Sequence, residues 1–216
     1  MIPPEFDCVP DTIVGSLNIE DLRQSERSRS ADYAHMVYDP AYVAYTEKNH
    51  GGIPKRPWFK TESGQILRLG RFVNFGGPYN EPFQDDWESP GTDIRHSWDI
   101  GCLEAYEGIA DGCGAFLVLF GMLYWGPHSP EEMQKMHIDY LCFDYSCFDY
   151  SDSSSRLPAV VVWDQEAAGD EAYACKGEGR DSWTELRRDR FTDRVAANFT
   201  DFMLGLCESD ADLRVG

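Results

Sequence analysis

Between residues 140 and 164 the chain carries two short runs that constrain its fold more than any other stretch. The first reads Tyr140-Leu141-Cys142-Phe143-Asp144-Tyr145-Ser146, and its last five residues repeat at once as Cys147-Phe148-Asp149-Tyr150-Ser151. A polar linker, residues 152–156, leads into Leu157-Pro158-Ala159-Val160-Val161-Val162-Trp163-Asp164. Alternating bulky and polar side chains, a Ser- and Asp-rich loop and a Val-rich run form the pattern of two sequential strands. Pro158 is tolerated because it stands at a strand start. The repeat adds a second constraint. Five is odd and strand side chains alternate with a period of two, so a continued strand would turn the second copy to the opposite face. The first copy is therefore expected in the sheet, with Phe143 or its neighbours buried, and the second at an exposed hairpin end.

The rest of the chain supplies the partners of these strands. Asp39-Pro40 reads as a helix start, with Asp39 as cap and Pro40 at the first helical position. Tyr42, Val43 and Tyr45 form the apolar side of that helix, near Met36. It stops at Gly51-Gly52, because glycine enters the left-handed region cheaply. Residues 58–61 and 65–75 read as a hairpin about Glu62-Ser63-Gly64. The second strand has bulky residues on both faces, which predicts that both are partly covered. Residues 116–124 read as a buried strand, residues 98–110 as a short helix, and Ser129-Pro130-Glu131-Glu132 as a helix start. Residues 192–207 read as a closing amphipathic helix, with Val195, Phe199, Phe202 and Leu206 at helical spacing. Residues 1–30 read as irregular and partly mobile. Together these predict one α+β domain over residues 1–216, with a single mixed, mainly antiparallel sheet flanked by helices. Residues 1–35 are an N-terminal extension, and residues 76–98 and 165–190 are insertions.

Charge narrows the function. The 38 acidic side chains outnumber the 19 basic ones, a formal net charge of -19. Such a surface repels nucleic-acid backbones and anionic membranes, and attracts a basic protein; it also keeps a chain soluble. No apolar run reaches the roughly 18 residues of a membrane span. The start, Met1-Ile2-Pro3-Pro4-Glu5-Phe6-Asp7, lacks the regions of a signal peptide, which predicts a cytosolic protein. The 7 cysteines are odd in number and form no Cys-x-x-Cys, so they are expected as reduced, mostly buried thiols.

Catalytic and metal signatures are weak. His35, His50, His96, His128 and His137 are scattered, with no His-Glu-x-x-His. There is no Gly-x-Ser-x-Gly, and Gly121 and Gly126 make no phosphate loop. Carboxylates are the remaining candidates for acid–base chemistry: Asp144 or Asp149 paired with Asp139 or Asp164. Trp58, Trp87, Trp98, Trp125 and Trp163 could line a sugar cleft beside such a pair. Asp144 and Asp149, however, would face opposite ways in one strand. No catalytic residue, metal or cofactor is therefore assigned.

Three segments in order carry a family resemblance. They are the helix ending in Lys48-Asn49-His50-Gly51-Gly52-Ile53-Pro54, the Cys142-Phe143-Asp144-Tyr145 strand followed by Pro158-Ala159-Val160-Val161, and the Phe199/Phe202 helix. This chain resembles the SUKH superfamily from about Pro40 to Leu206. That superfamily includes immunity proteins that neutralise bacterial polymorphic toxins, and fungal regulators of cell-wall synthesis. His50 within the turn, the doubled unit and the two insertions depart from the family pattern. The resemblance implies a SUKH-like fold and a cytosolic immunity protein, not an enzyme, that occludes the active site of a cognate toxin. A nuclease or nucleotide-modifying toxin, with a basic groove, fits the acidic surface. The expected partner-binding residues are Glu81, Asp85, Asp86, Glu88 and Asp93 in the first insertion and Asp144, Asp149 and Asp152 about the doubled unit, with Trp87 and Tyr150 as aromatic anchors. The alternatives are a small carboxylate-dependent hydrolase and a regulatory scaffold. The oligomeric state is left open.

Overall fold

A computed structural model describes residues 2–13, 38–72, 117–124, 139–145, 157–164, 167–171, 174 and 190–214. Two 3-10 turns, Pro4–Phe6 and Pro10–Thr12, precede helix α1 (Pro40–Asn49). Six strands follow in chain order: β1 (Trp58–Lys60), β2 (Ile66–Phe72), β3 (Leu117–Tyr124), β4 (Tyr140–Asp144), β5 (Ala159–Trp163) and β6 (Thr192–Ala196). Helix α2 (Phe199–Leu204) and the single turn α3 (Ala211–Arg214) come last. The strands lie side by side in the order in which they occur, and every pairing is antiparallel. The fold is thus α+β as expected, but among the described residues the sheet is antiparallel throughout rather than mixed. Successive strands that simply reverse direction need no parallel crossover between them.

The first Cys-Phe-Asp-Tyr copy is the centre of this sheet. Cys142 stands opposite Leu119 on one side and Val161 on the other, and Phe143 stands opposite Val118 and Val160. Cys142 and Phe143 are fully buried although they point to opposite faces, and Tyr145 beyond the strand end is also buried. Burial on both faces explains why β5 reads as an unbroken apolar run rather than an alternation. β2 is covered on both faces only in its second half, where Leu69, Arg71 and Phe72 are buried, while Arg68 is exposed. The second copy, residues 147–151, lies outside the described residues, as do residues 73–116 and 125–138, with the helices expected at 98–110 and from Ser129.

One face of the sheet packs on α1 and α2 through aromatic rings. Phe120 and Phe143 stack at 4.2 Å between ring centroids. Tyr42 meets Phe143 edge-on at 5.0 Å and Phe199 at 5.2 Å, and Phe59 meets Phe202 at 5.6 Å. Edge-to-face and offset geometries of this kind add about 0.5–1.5 kcal/mol per pair beyond the area buried. Helix α1 starts as its sequence predicts: the Asp39 carboxylate accepts from Ala41 N at 2.8 Å. Its other oxygen accepts from Phe199 N at 3.1 Å, so one buried carboxylate caps the starts of both α1 and α2.

The closing segment differs from expectation. Residues 192–196 form strand β6 on the edge of β5, and α2 begins only at Phe199. Backbone pairing with residues 160–163 outweighs the helical spacing of Val195 with Phe199, because β propensity follows the surface on which a segment packs. Asn198 marks the true helix start, its side chain accepting from Asp201 N at 2.9 Å. Phe199, Phe202 and Leu206 are buried as expected.

The sheet curls until its ends nearly meet, which brings it close to a barrel. Glu62 N, in the β1–β2 turn, donates to Arg194 O of β6 at 2.7 Å, and the Ser63 hydroxyl donates to the Asp193 carboxylate. Trp58 on the outer strand exchanges two backbone bonds with Cys207, at 3.1 and 2.8 Å. These contacts shield part of two exposed edges that would otherwise be open to pairing with other chains.

Candidate functional site

The turn after α1 is the most elaborated polar feature in the described structure. Gly51 has φ 65°, the left-handed conformation that ends a helix and that glycine adopts most easily. Gly52 is needed for a different reason from the one its sequence suggests. Its φ is not positive, but a Cβ there would lie 2.6 Å from Cys8 Cβ and 2.8 Å from Cys8 Sγ. The Arg71 guanidinium, buried beneath the turn, donates through Nε to Gly51 O at 3.0 Å. Burial first, and the Arg71 charge second, lower the His50 imidazole to a pKa of about 4, so it is neutral at pH 7.

Residues 2–13 lie across this turn. Expected to be irregular and partly mobile, they instead place Phe6 and Cys8 in the core. Cys8 N donates to Asn49 Oδ1 at 2.9 Å, and the Tyr45 hydroxyl donates to Phe6 O at 2.8 Å. Val9 N donates to Ile53 O at 2.8 Å and Lys55 N to Asp7 O at 3.3 Å, a short antiparallel pairing centred on Cys8 and Pro54. The sequence signal that was missed is the apolar pair Phe6 and Cys8 amid prolines and acids. Phe6 closes the first 3-10 turn and Cys8 pairs with Pro54, and both side chains are buried. The cluster of Cys8, Asn49 and His50 contains residue types used by thiol enzymes, but burial pushes the Cys8 thiol up to about 12. A reactive cysteine needs an exposed, low-pKa thiolate, so this thiol is a packing group. Cys8, Cys142 and Cys207 are free thiols, as expected.

Of the residues expected to bind a partner, Asp144 alone falls among the described ones. It ends β4, half-buried, opposite Leu117 and Ala159. Exposed Leu157 lies just before β5, close to this rim in sequence register. Glu81, Asp85, Asp86, Trp87, Glu88, Asp93, Asp149, Tyr150 and Asp152 lie outside the described residues.

Asp144 does not meet either partner proposed for it, since Asp139 and Asp164 both flank the far end of the β4–β5 pair, and Asp149 lies outside the described residues. Asp139 and Asp144 flank opposite ends of β4, roughly 16 Å apart along the strand, whereas carboxylate pairs in glycosidases work at about 5–9.5 Å. Asp164 accepts from Ala167 N at 2.8 Å and so starts the helical turn at 167–171. Among the described residues no three His, Cys, Asp or Glu side chains group as a metal site, and no helix is long and apolar enough to cross a membrane. Comparison with models of protein families, with curated proteins and with solved structures gave no match.

Proposed function

We propose that this chain is a cytosolic immunity protein of the SUKH type, without catalytic activity, that binds a cognate bacterial toxin domain and occludes its active site. The observation that carries this reading is the meeting of the three resembling segments in one aromatic core. Tyr42 from the first, Phe143 from the second and Phe199 from the third pack within 5.0–6.1 Å of one another. A shared core is what a resemblance spread over distant segments requires if it reflects one fold. The net charge of -19 gives the partner its sign: a basic groove, such as that of a nuclease or a nucleotide-modifying toxin.

The experiment is a growth assay in which any toxin domain found to be encoded beside this gene is expressed with and without the chain, followed by binding kinetics on the purified pair. Protection and a stable complex are expected. Association should slow markedly as salt approaches molar, where screening acts over roughly 3 Å. Reversing Asp85, Asp86 and Glu88 to Lys should lower the association rate, and Trp87→Ala should speed dissociation. A neighbouring toxin that kills equally well with the chain present would refute the assignment.

A further inference from the structure

One stretch of this acidic chain has the opposite charge. Residues 48–71 hold Lys48, Lys55, Arg56, Lys60, Arg68 and Arg71, six of the chain's 19 basic residues, and a single acid, Glu62. The hairpin of β1 and β2 sorts part of this set onto one face. Phe59 and Leu67 stand opposite each other and are buried, Phe59 against Phe202. Trp58, Lys60, Ile66 and Arg68 therefore point the other way. On that face Lys60 and Arg68 are exposed, and Trp58 and Ile66 are half-buried. Trp58 stands opposite Arg68 and Lys60 opposite Ile66, so the two cations are diagonal neighbours across the hairpin, about 7–8 Å apart.

These two cations have no counter-ion. Among the described residues Arg190, Arg194 and Arg214 each meet a carboxylate, at 3.6, 3.6 and 2.8 Å, while Lys60 and Arg68 meet none. Glu62, the one acid near them in sequence, is turned to Arg194. A chain of 38 acids thus leaves two like charges side by side on a sheet, an arrangement that by itself destabilises the pair of strands. Natural chains keep such exceptions to local rules at functional sites. Protection of an open edge accounts for Lys60 on the outer strand. It does not account for Arg68, because β2 is paired on both sides, with β1 and with β3.

We propose that the outward face of the β1–β2 hairpin, formed by Trp58, Lys60, Ile66 and Arg68, docks a carboxylate-rich protein surface, a second partner opposite in charge to the basic one proposed above. Lys60 offers a point charge to one carboxylate, and Arg68 offers a planar fork to another. Trp58 is a residue type that anchors interfaces, and Ile66 extends its apolar contact. A flat hairpin face suits a protein, whereas small ligands take concave sites. The net charge of -19 opposes the continuous phosphates of nucleic acid and the charge of anionic lipid. A protein partner needs only a local acidic patch, since screening limits repulsion from the rest of the surface to about 8 Å at physiological salt.

The test uses the full chain and a short fluorescent peptide of alternating glutamate and leucine, with binding read by anisotropy at low salt. The Lys60→Glu/Arg68→Glu chain should bind the peptide at least about tenfold more weakly than the parent, because both attractions become repulsions. Trp58→Ala, which leaves the backbone bonds to Cys207 in place, should weaken binding about as much. If the charge reversal fails to fold, Lys60→Gln/Arg68→Gln should give a smaller loss of the same sign. A single-stranded oligonucleotide and vesicles containing phosphatidylserine should bind the parent more weakly than the peptide does. No peptide binding by the parent, equal affinity in the parent and the folded variants, or an oligonucleotide or vesicle that binds more tightly than the peptide would each overturn the proposal. None of these results depends on the toxin assay, so the two assignments stand or fall separately.

Discussion

The Asp39 carboxylate offers the sharpest test of how the two ends of the described chain are fastened. Its oxygens accept from Ala41 N at 2.8 Å and, 160 residues further along the chain from Asp39, from Phe199 N at 3.1 Å. At 1 % exposure, water cannot readily take over either role. Removing one capping side chain costs about 0.5–2 kcal/mol, and leaving a second buried N–H without an acceptor costs about 1–3 kcal/mol. Asp39→Ala should therefore lose roughly 3 kcal/mol, which for a chain of this size lowers Tm by about 6–12 °C. Asp39→Asn keeps one acceptor but turns an amide toward the other N–H, so it should lose about half as much. Asn198→Ala removes only the cap of α2 and should lose about 1 kcal/mol. Differential scanning calorimetry and urea unfolding on the four proteins give these values. An Asp39→Ala chain within about 2 °C of the parent would refute the reasoning, because the two N–H groups would then have found other acceptors.

Further outcomes follow from the turn and the strands. Gly52→Ala should be destabilised by about 1–3 kcal/mol of overpacking, largely recovered when combined with Cys8→Gly, and urea midpoints of the double-mutant cycle measure this. Because His50 has a folded pKa of about 4 against 6.5 when unfolded, the unfolded chain binds the extra proton between these values. Stability should thus fall as pH drops from 6.5 toward 4, by up to about 3 kcal/mol from this group, and His50→Gln should flatten that part of the urea-midpoint profile. Deleting residues 147–151 should leave the circular dichroism and Tm close to those of the parent, since Cys142 and Phe143 already pair with both neighbouring strands; an unfolded deletion would place the second copy in the core.

Local chemistry was legible where one residue type fits one backbone state. Asp39 as a cap, Pro40 at the helix start, Gly51 at its end and the hairpin about Glu62-Ser63-Gly64 are all found where the sequence puts them. The strands β3, β4 and β5 were readable because apolar runs of this length, bounded by polar turns, pair in chain order. What could not be read were effects decided by distant partners. β6 is a strand because residues 160–163 offer it an edge, not because of its own spacing. Gly52 is required by Cys8, which lies 44 positions earlier in the chain, and Phe6 and Cys8 are core residues only once Tyr45 and Asn49 receive their backbone. Of the candidate partner site, only Asp144 lies among the described residues, at the end of β4 opposite Ala159.

The tie between Asp39 and Phe199, together with the bonds between Trp58 and Cys207, has a consequence for synthesis of the chain. On the ribosome, α1 and the first five strands emerge before the segment that covers them. Until residues 199–207 leave the exit tunnel, Tyr42, Phe59, Phe120 and Phe143 lack the rings of α2, and the outer edge of β1 lacks its Cys207 cover. Nascent chains arrested shortly before that point should be sensitive to protease and recruit chaperones, since exposed apolar faces and open strand edges are what aggregation uses. Release of a few more residues should abolish both behaviours together, making α2 a timer for the folding of everything made before it.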